Sequence, residues 1–477
     1  MIPLEIPGLT MTENAIFGKL LNQIADKLTR NLIRQRYYDS KQAIRQLGIA
    51  VPPQLSLLET VTGWPAKAVD ILDRRISFDS LVASGESDPF GVDQIFAENE
   101  IEFQASQIHT AALKYGATFL PVVPGDVGAG DPAIRIVPRS ALEMTALYDR
   151  SRRRLRAALS INRDDSGQLV EFLFVLPDRW VTGWKVGHLW QTRTIPHGLG
   201  VVPVGVAAYR PDLDRPFGKS KITRSIMSLT DQGVRTMLRT EIAAEFFSVP
   251  QRYVLGANED AFVDRDGNPR AGWEVTIGNI LALSRDEDTL TGDGMPSVGQ
   301  FPQMSMQPHT EHLRSIASAF AGEANIPVGS LGIVHDNPAS DAAMQTAYLD
   351  LVQDAERCHT TFGAGYVKAA QYAVMLRDGL DYVPDELRDM RARFRNASTP
   401  TKAAQTQAVV EQVREGILPA DSEVTLEELG YSKVTIQRIK SDRRRAQATD
   451  RLSALREAVS ASRAPQGGTG APAAEEA

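Results

Sequence analysis

Residues 221–247 read KITRSIMSLTDQGVRTMLRTEIAAEFF, and this stretch decides the fold that we predict for the chain. Its apolar residues recur at steps of three and four, which is the spacing of one face of an α-helix. The opposite face mixes both signs of charge, as is typical of a surface that meets water or a charged neighbour rather than lipid. The stretch therefore predicts a long amphipathic helix outside any membrane, and Pro250 ends it.

A short β-rich excursion follows this helix, and a second helix brings the chain back. Residues 251–255 alternate polar and apolar side chains, and residues 264–269, DRDGNP, form a dense turn signal. Residues 309–324 then repeat apolar side chains at helical spacing. Residues 328–340, VGSLGIVHDNPAS, lack that spacing and predict a loop. The unit of helix, β-excursion, helix and loop contains no nucleophile paired with a base, so it indicates a geometric role.

The rest of the chain divides into a helical, a strand-rich and a second helical part. We predict N-terminal helices at residues 12–47, 66–75 and 92–115. Six strand-like segments then predict an antiparallel β region, at residues 117–123, 133–137, 155–162, 168–176, 179–185 and 188–194. Later helices are predicted at residues 341–376, 401–416, 425–429 and 432–460. We expect the helix at 341–376 to bend near Gly363 and Gly365, because glycine weakens a helix.

Composition sets broad limits on the class of protein. A chain of 477 residues is too long for one compact core, so two to four domains are expected. The formal net charge of -7 does not suggest a sequence-specific DNA-binding protein. Cys358 is the single cysteine, which excludes an intrachain disulfide framework and predicts a buried thiol. We expect no membrane span or secretion signal, and a disordered tail at residues 464–477.

Motifs that resemble catalytic or metal sites are better explained as structure. Residues 125–131 are rich in glycine, but no Lys-Ser or Lys-Thr follows, so a surface hairpin loop is predicted. Residues 264–268 resemble the start of a calcium loop, yet Pro269 and Val275 stand where glycine and glutamate are needed. The seven histidines show no zinc-enzyme spacing and predict surface or helix-cap roles. Residues 443–445, three arginines, predict a solvated helix face, with a nucleic-acid contact as the alternative. We predict no enzyme, no metal and no cofactor.

Six segments carry a family resemblance. They are NLIRQRYY at 31–38, GWPAKAV at 63–69, PFGKS at 216–220, FFSVPQRY at 246–253, the loop at 327–340 and LEELGYS at 426–432. In their order and spacing, these segments resemble the portal proteins of long-tailed double-stranded DNA bacteriophages, particularly those that infect actinobacteria. The resemblance extends over nearly the whole chain.

This resemblance implies an α+β portal fold with a helical wing and crown, a two-helix stem and a small β-rich clip. The implied divisions are a wing at residues 1–216, a first stem helix at 217–249, a clip at 250–307, a second stem helix at 308–327, a tunnel loop at 328–340, a long wing helix at 341–384, a helical crown at 385–463 and a disordered tail at 464–477. The wing combines the N-terminal helices with the antiparallel β region.

The resemblance also implies a function and a set of partners. Family members form a ring of twelve subunits at one capsid vertex, through which the terminase packages DNA that is later ejected. The implied partners are double-stranded DNA, the terminase large subunit, head-tail connector or adaptor proteins, and the major capsid and scaffolding proteins. The implied location is the virion, after assembly in the host cytoplasm. The alternative is another head-tail adaptor or minor capsid component.

The candidate functional residues follow from this division. The tunnel-loop candidates are His335, Asp336 and Asn337, short polar residues able to touch phosphates without gripping them, and Gly332, which sets a hinge-like end of the loop. The alternative is a plain interhelical turn. The candidates for the channel lining are Asp231, Glu241 and Glu245 in the first stem helix, because an acidic lining repels phosphates whereas a basic lining would slow the DNA. Charge pairs between subunits are an equally compatible use of these residues. The partner-docking candidates in the clip are Asp264, Arg265, Asp266, Asn268 and Arg270.

Overall fold

The computed structural model describes residues 5–42, 59–83, 88–187, 189–247, 252–255, 297–300, 304–333, 341–398 and 402–462. The helices are α1 (Met11–Tyr38), α2 (Trp64–Asp73), α3 (Val92–Glu98), α4 (Ile101–Tyr115), α5 (Arg224–Phe247), α6 (Gln307–Ala324), α7 (Asp341–Asp378), α8 (Asp385–Arg388), α9 (Lys402–Arg414), α10 (Glu423–Glu428) and α11 (Lys433–Ser462). The strands are β1 (Phe78–Val82), β2 (Ala117–Pro124), β3 (Ile134–Ile136), β4 (Arg139–Ser140), β5 (Met144–Asp149), β6 (Arg154–Arg163), β7 (Leu169–Val175), β8 (Arg179–Val186), β9 (Leu189–Pro196), β10 (Val204–Ala208), β11 (Arg252–Leu255), β12 (Ser297–Gln300) and β13 (Arg391–Phe394). The predicted α+β class is confirmed.

Four sets of paired strands are formed, and all the pairs are antiparallel. Strands β5 to β9 follow one another as a five-stranded meander. In a second sheet, β2 pairs with β10, β3 and β4. Two isolated pairs join distant parts of the chain, β1 with β13 and β11 with β12. The predicted antiparallel region is therefore confirmed, although six strands were not predicted, and these are β1, β4, β5, β10, β12 and β13.

Helix α1 packs on one face of the meander. Its N-terminus carries a capping box in which the Thr10 side chain accepts from the Glu13 backbone N–H and Glu13 reaches back to Thr10. Phe17 makes edge-on ring contacts with Phe172 and Phe174, at centroid distances of 4.9 and 5.6 Å. This cluster excludes water between helix and sheet, so α1 is fixed to the β region along its first half.

The longest helix, α7, forms the centre of the largest core. It is continuous through Gly363 and Gly365, and the bend expected there stays a prediction. A Cβ atom added to Gly205 of β10 would lie 2.3 Å from the Gly365 carbonyl oxygen. Gly205 and Gly365 therefore allow the strand and helix backbones to approach closely, which is a packing role rather than one of flexibility.

The single helix predicted at residues 92–115 is wrong, because the structure has α3 and α4 with a break at Asn99 and Glu100. Glu100 takes a left-handed backbone conformation, with φ of 52°. The Asn99 side chain donates to the carbonyl of Ile134 and accepts from the N–H of Ile136. These bonds to β3 satisfy the strand edge at a buried position, and this tertiary contact overrides the helical periodicity.

Other boundaries and burial patterns also differ from the predictions. Helix α1 ends at Tyr38 instead of continuing to residue 47, since Ser40 has a φ of 55°, and residues 43–47 lie outside the described residues. His109 is buried rather than on the surface, and its Nε2 lies 2.9 Å from the Tyr366 hydroxyl. Cys358 is buried as predicted. No helix among the described residues has both the length and the apolar character needed to cross a membrane.

Candidate functional site: a long helix pair and its attachment to the core

Helices α5 and α6 pair with each other, and their adjoining ends are built into the main core. Ile226 of α5 and Phe320 of α6 are both buried there. At the same level, the Thr223 hydroxyl donates to a Glu323 carboxylate oxygen at 3.4 Å, so the start of α5 lies beside the end of α6. The pair is therefore antiparallel, as the predicted helix, excursion and return helix required.

Trp64 sets how closely the helix pair approaches α2. Its ring centroid lies 5.3 Å from that of Phe320 in α6. A Cβ atom added to Gly233 of α5 would lie 2.7 Å from the Trp64 ring. Residue 233 must therefore be small, because the indole occupies the space that any larger side chain would need. The indole is buried and touches both helices of the pair.

A buried ionic cluster holds the segment that leads into α5. Lys221 Nζ lies 3.1 Å from one Asp354 carboxylate oxygen, and Arg210 binds the other at 2.7 Å. The Tyr209 hydroxyl donates to the same carboxylate at 3.1 Å. Burial raises the pKa of Asp354, but the charges of Lys221 and Arg210 outweigh it, and the pKa lies below its usual value. The carboxylate therefore stays ionised, and it ties β10, the start of α5 and α7 together.

The same cluster controls the environment of Cys358, one helical turn further along α7. Burial and the nearby Asp354 charge raise the pKa of the thiol to about 12. A thiol with this pKa remains protonated at neutral pH and is a poor nucleophile. Cys358 is therefore a packing residue of this junction.

The three candidates for the channel lining lie in unlike environments. Asp231 accepts hydrogen bonds of 2.8 and 3.0 Å from the Tyr37 hydroxyl, which joins α5 to α1. Glu241 and Glu245 are exposed in the single chain, one turn apart. The structure thus gives Asp231 a contact within the subunit that the sequence did not predict. It leaves the side chains of the two glutamates on the surface, where the hypothesis of a channel lining or a subunit contact still applies.

The basic residues of α5 occupy a neighbouring face. Arg224 and Arg239 are exposed and Arg235 is half-buried. At 100° per residue, these arginines fall within about 60° of one another, and Glu241 and Glu245 lie on the side next to them. The outer surface of α5 therefore carries a basic stripe beside an acidic one.

The predicted tunnel loop begins in an ordered turn. Residues Val328–Leu331 form one turn of 3₁₀ helix, with Leu331 buried in the main core. Lys67 of α2 donates to the Ser330 carbonyl at 3.1 Å. Gly332 is exposed with a φ of 85°, a conformation that favours glycine. The remaining loop candidates, His335, Asp336 and Asn337, lie outside the described residues.

Along the chain, β11 follows α5 and β12 precedes α6. The two strands form an antiparallel pair in which Arg252 lies opposite Gln300 and Leu255 opposite Ser297. The start and the return of the predicted β-excursion thus pair with each other. The docking candidates of this excursion lie outside the described residues; they are Asp264, Arg265, Asp266, Asn268 and Arg270.

The C-terminal helices attach to the core through ion pairs. Lys433 at the start of α11 lies 2.5 Å from Asp93 of α3 and also donates to the Leu81 carbonyl. Arg393 of β13 pairs with Glu427 of α10. Beyond these contacts the side chains of 441–455 are exposed, including those of the three arginines at 443–445. This agrees with the solvated helix face predicted there.

The chain is similar to known proteins over most of its length. Residues 18–448 match the family described as phage portal protein, SPP1 Gp6-like. The portal protein of Mycobacterium phage L5 is 28% identical over 440 residues, covering 90% of this chain and 88% of the relative. The portal protein of Mycobacterium phage D29 is 28% identical over 410 residues, covering 83% and 81%. A chain in the neck of an empty gene transfer agent particle is 12% identical, with a TM-score of 0.46, covering 84% of this chain and 93% of that one.

Proposed function

The chain belongs to the family of phage portal proteins of the SPP1 Gp6 type, and on this premise we propose that copies of it form a ring around a channel for double-stranded DNA. The ring occupies one vertex of the capsid and is part of the virion. DNA enters through it during packaging and leaves through it during ejection. The observation that carries this proposal is the antiparallel pair of α5 and α6, anchored in the core at one end and continuing into β11 and β12 at the other.

We divide the chain accordingly. The wing comprises residues 1–216 and the long helix at 341–384. The stem helices lie within 217–249 and 308–327, the clip at 250–307, the tunnel loop at 328–340 and the crown at 385–463. Residues 464–477 are the proposed tail. Twelve subunits is the number we assign to the ring, following the family resemblance.

The buried attachment of the stem suits a channel under load. Lys221, Arg210 and Tyr209 converge on one buried carboxylate where the segment preceding α5 meets α7. Charge pairs of this kind have strict geometry, because an uncompensated buried charge costs several kcal/mol. The stem is thereby held in one orientation relative to the wing while DNA moves past it.

Charge favours passage over binding. A basic channel releases counterions from each phosphate that it neutralises, and the resulting affinity would slow the DNA. A subunit of net charge -7, repeated around a ring, produces a field that repels phosphates from the walls. Glu241 and Glu245 are exposed on α5 and are the proposed contributors to that field.

We assign no reaction to the chain and no cofactor. The work of packaging belongs to a separate motor, the terminase large subunit, which docks on the clip. Head-tail connector proteins replace it there, and the major capsid and scaffolding proteins surround the wing during assembly in the host cytoplasm. An ATPase assay of the purified chain, with and without duplex DNA, tests this part of the proposal. Hydrolysis above background would contradict it.

Negative-stain electron microscopy of the purified full chain tests the ring. We expect annular particles with a central bore wide enough for duplex DNA. Monomers at all concentrations, or closed particles without a bore, would overturn the proposal. A closed particle would favour a head-tail adaptor instead.

A further inference from the structure

A cleft of about 560 Å³ lies between α1, strand β5 and the segment that precedes α5. Its polar lining is dominated by seven cationic side chains, and these are Lys19, Lys27, Arg30, Arg34, Arg150, Arg215 and Lys219. Asp214 is the carboxylate among the lining residues. Such a concentration of positive charge is unusual for a chain whose net charge is -7, and six of the seven cations, all but Lys219, lie outside the proposed stem, clip and tunnel loop.

The α1 cations form a regular row. Lys19, Lys27, Arg30 and Arg34 lie within 80° of one another at 100° per residue, so they share one face of the helix. At 1.5 Å per residue the row extends over about 22 Å. Asn31 donates to the Ala141 carbonyl at 3.2 Å, which fixes this face of α1 beside β5. The row is thus presented along the cleft by a helix that the core holds in place.

Most of these cations have no carboxylate partner among the described residues. Arg150 lies 3.7 Å from Asp214, and Lys219 lies 2.8 Å from Asp212. The four α1 cations and Arg215 form no ion pair within the part of the chain that the structure describes. The Arg34 Nε atom is buried without a hydrogen-bond partner there, although the Arg34 guanidinium does donate to Asn31. A buried donor without an acceptor costs free energy that an anionic ligand would recover.

The electrostatic consequence is visible in two side chains. Burial and the neighbouring charge of Arg30 lower the pKa of Arg34 to about 10. The same two causes lower the pKa of Lys27. Like charges have been brought together here without compensation, and charge repulsion of this kind is relieved when an anion binds.

Aromatic rings line the same cleft. Tyr115, Phe119, Tyr148 and Phe217 are all part of its wall. Phe217 packs edge-on against Phe119 and Tyr148, with centroid distances of 5.5 and 6.4 Å. Tyr148 remains 36% exposed. A row of Lys and Arg side chains beside an accessible Tyr is the kind of surface by which proteins contact the phosphates and sugars of duplex DNA.

We propose that this cleft is a binding site for the phosphate backbone of DNA, separate from the channel surface of α5. Lys19, Lys27 and Arg30 contact successive phosphates, and Arg34 at the inner end donates from its unpaired Nε. All of the residues belong to one subunit, so the site exists whether or not the ring forms. A ring would repeat the cleft around its circumference and hold DNA by its wing, where retention does not impede passage through the channel.

The test is fluorescence anisotropy with a labelled 20-base-pair duplex, measured over a range of salt concentrations. The variant is K19Q/K27Q/R30Q, which leaves the partly buried Arg34 in place. We expect its affinity at low salt to fall about tenfold or more, and the slope of log Kd against log salt to fall by roughly 2 to 3. The control R438Q/R444Q/R445Q removes the same charge from exposed positions of α11. It should bind as the parent does.

Two outcomes would overturn the proposal. An equal loss in both variants would show that the affinity follows total charge rather than the cleft. Binding of a polyglutamate peptide with no binding of the duplex would assign the cleft to an acidic protein partner. Micrographs of the same samples separate this test from that of the ring. A variant that forms normal rings but loses the duplex supports the cleft. If the parent forms no rings but binds the duplex, and the variant does not bind it, the cleft is supported and the ring is contradicted.

Discussion

Lys221 and Asp354 lie 133 positions apart in the chain, yet their charged atoms are 3.1 Å apart and both side chains are almost completely buried. Lys221 lies just before the start of α5, and Asp354 lies in α7. The pair therefore joins the proposed stem to the proposed wing at a position from which water is excluded. Its free energy depends on both partners, since Lys221 without Asp354 would be a buried charge with no partner, and Asp354 without Lys221 would keep Arg210 as its one cationic partner.

The variant K221M tests this dependence. We expect it to lower the free energy of unfolding by about 1.5–3 kcal/mol, because Asp354 loses one charged hydrogen-bond partner and keeps Arg210. The control is K219M, since Lys219 pairs with Asp212 at the surface and should contribute less than about 1 kcal/mol. Urea denaturation of both variants measures the difference. Equal stabilities for the two variants would contradict the structural role of the pair.

The approach of β10 to α7 predicts a second effect. In G205A the new methyl group would lie 2.3 Å from a backbone carbonyl oxygen that cannot rotate away. We expect a loss of roughly 1–3 kcal/mol or more, as for other overpacked cores. In G322A of α6 the methyl group would meet nothing within 4 Å, and the substitution should be neutral or stabilising. Thermal unfolding compares the two, and a stable G205A would show that strand and helix can separate freely.

The acidic face of α5 predicts how the ring treats DNA. We expect E241Q/E245Q rings to bind duplex DNA more tightly at low salt, since two negative charges per subunit no longer repel phosphates. The matched control is E411Q/E415Q, which removes two charges at the same spacing. Both positions are exposed, Glu411 within α9 and Glu415 directly after it. Filter binding at several salt concentrations gives the comparison. An unchanged affinity in E241Q/E245Q would place these glutamates away from the channel, at subunit contacts.

The loop after α6 predicts a packaging defect without an assembly defect. Deleting residues 332–337 should leave rings that look normal in micrographs, because the ordered turn at Val328–Leu331 and its core contact through Leu331 are retained. DNA packaged per particle should fall. Deleting the six residues 465–470 should affect neither quantity. Full packaging by the first variant would refute the role of the loop.

The sequence analysis was most accurate for elements whose evidence is local. The helical spacing of Ile222, Ile226 and Leu238 predicted α5 to within three residues, because burial of one helix face requires that spacing. Alternation and turn residues predicted the hairpins of the meander for the same reason. The family was also evident from segments dispersed over the chain, and the family match at 18–448 confirms it.

Predictions failed where a distant contact overrode the local pattern. The Asn99 side chain binds the edge of β3 and divides one predicted helix into two. Tyr37 donates to Asp231, a contact that the charge pattern did not predict, while the place of Asp231 in the channel lining stays a prediction. Strands β1 and β13 are separated by more than 300 residues, and only the tertiary fold brings them together as a pair. The basic spacing at residues 19, 27, 30 and 34 was visible in the sequence, but not that β5 and Phe217 would enclose it as a cleft.

The sequence by itself determined the α+β class, the order of the elements and membership of the portal family, because these depend on periodicity, on turn residues and on short segments in a fixed order. Only the tertiary structure decided which charges are paired. The energy of a charge depends on its solvation and on atoms within a few ångströms. Asp354 and Glu241 are both carboxylates on helices, yet folding surrounds the first with Lys221 and Arg210 and leaves the second exposed.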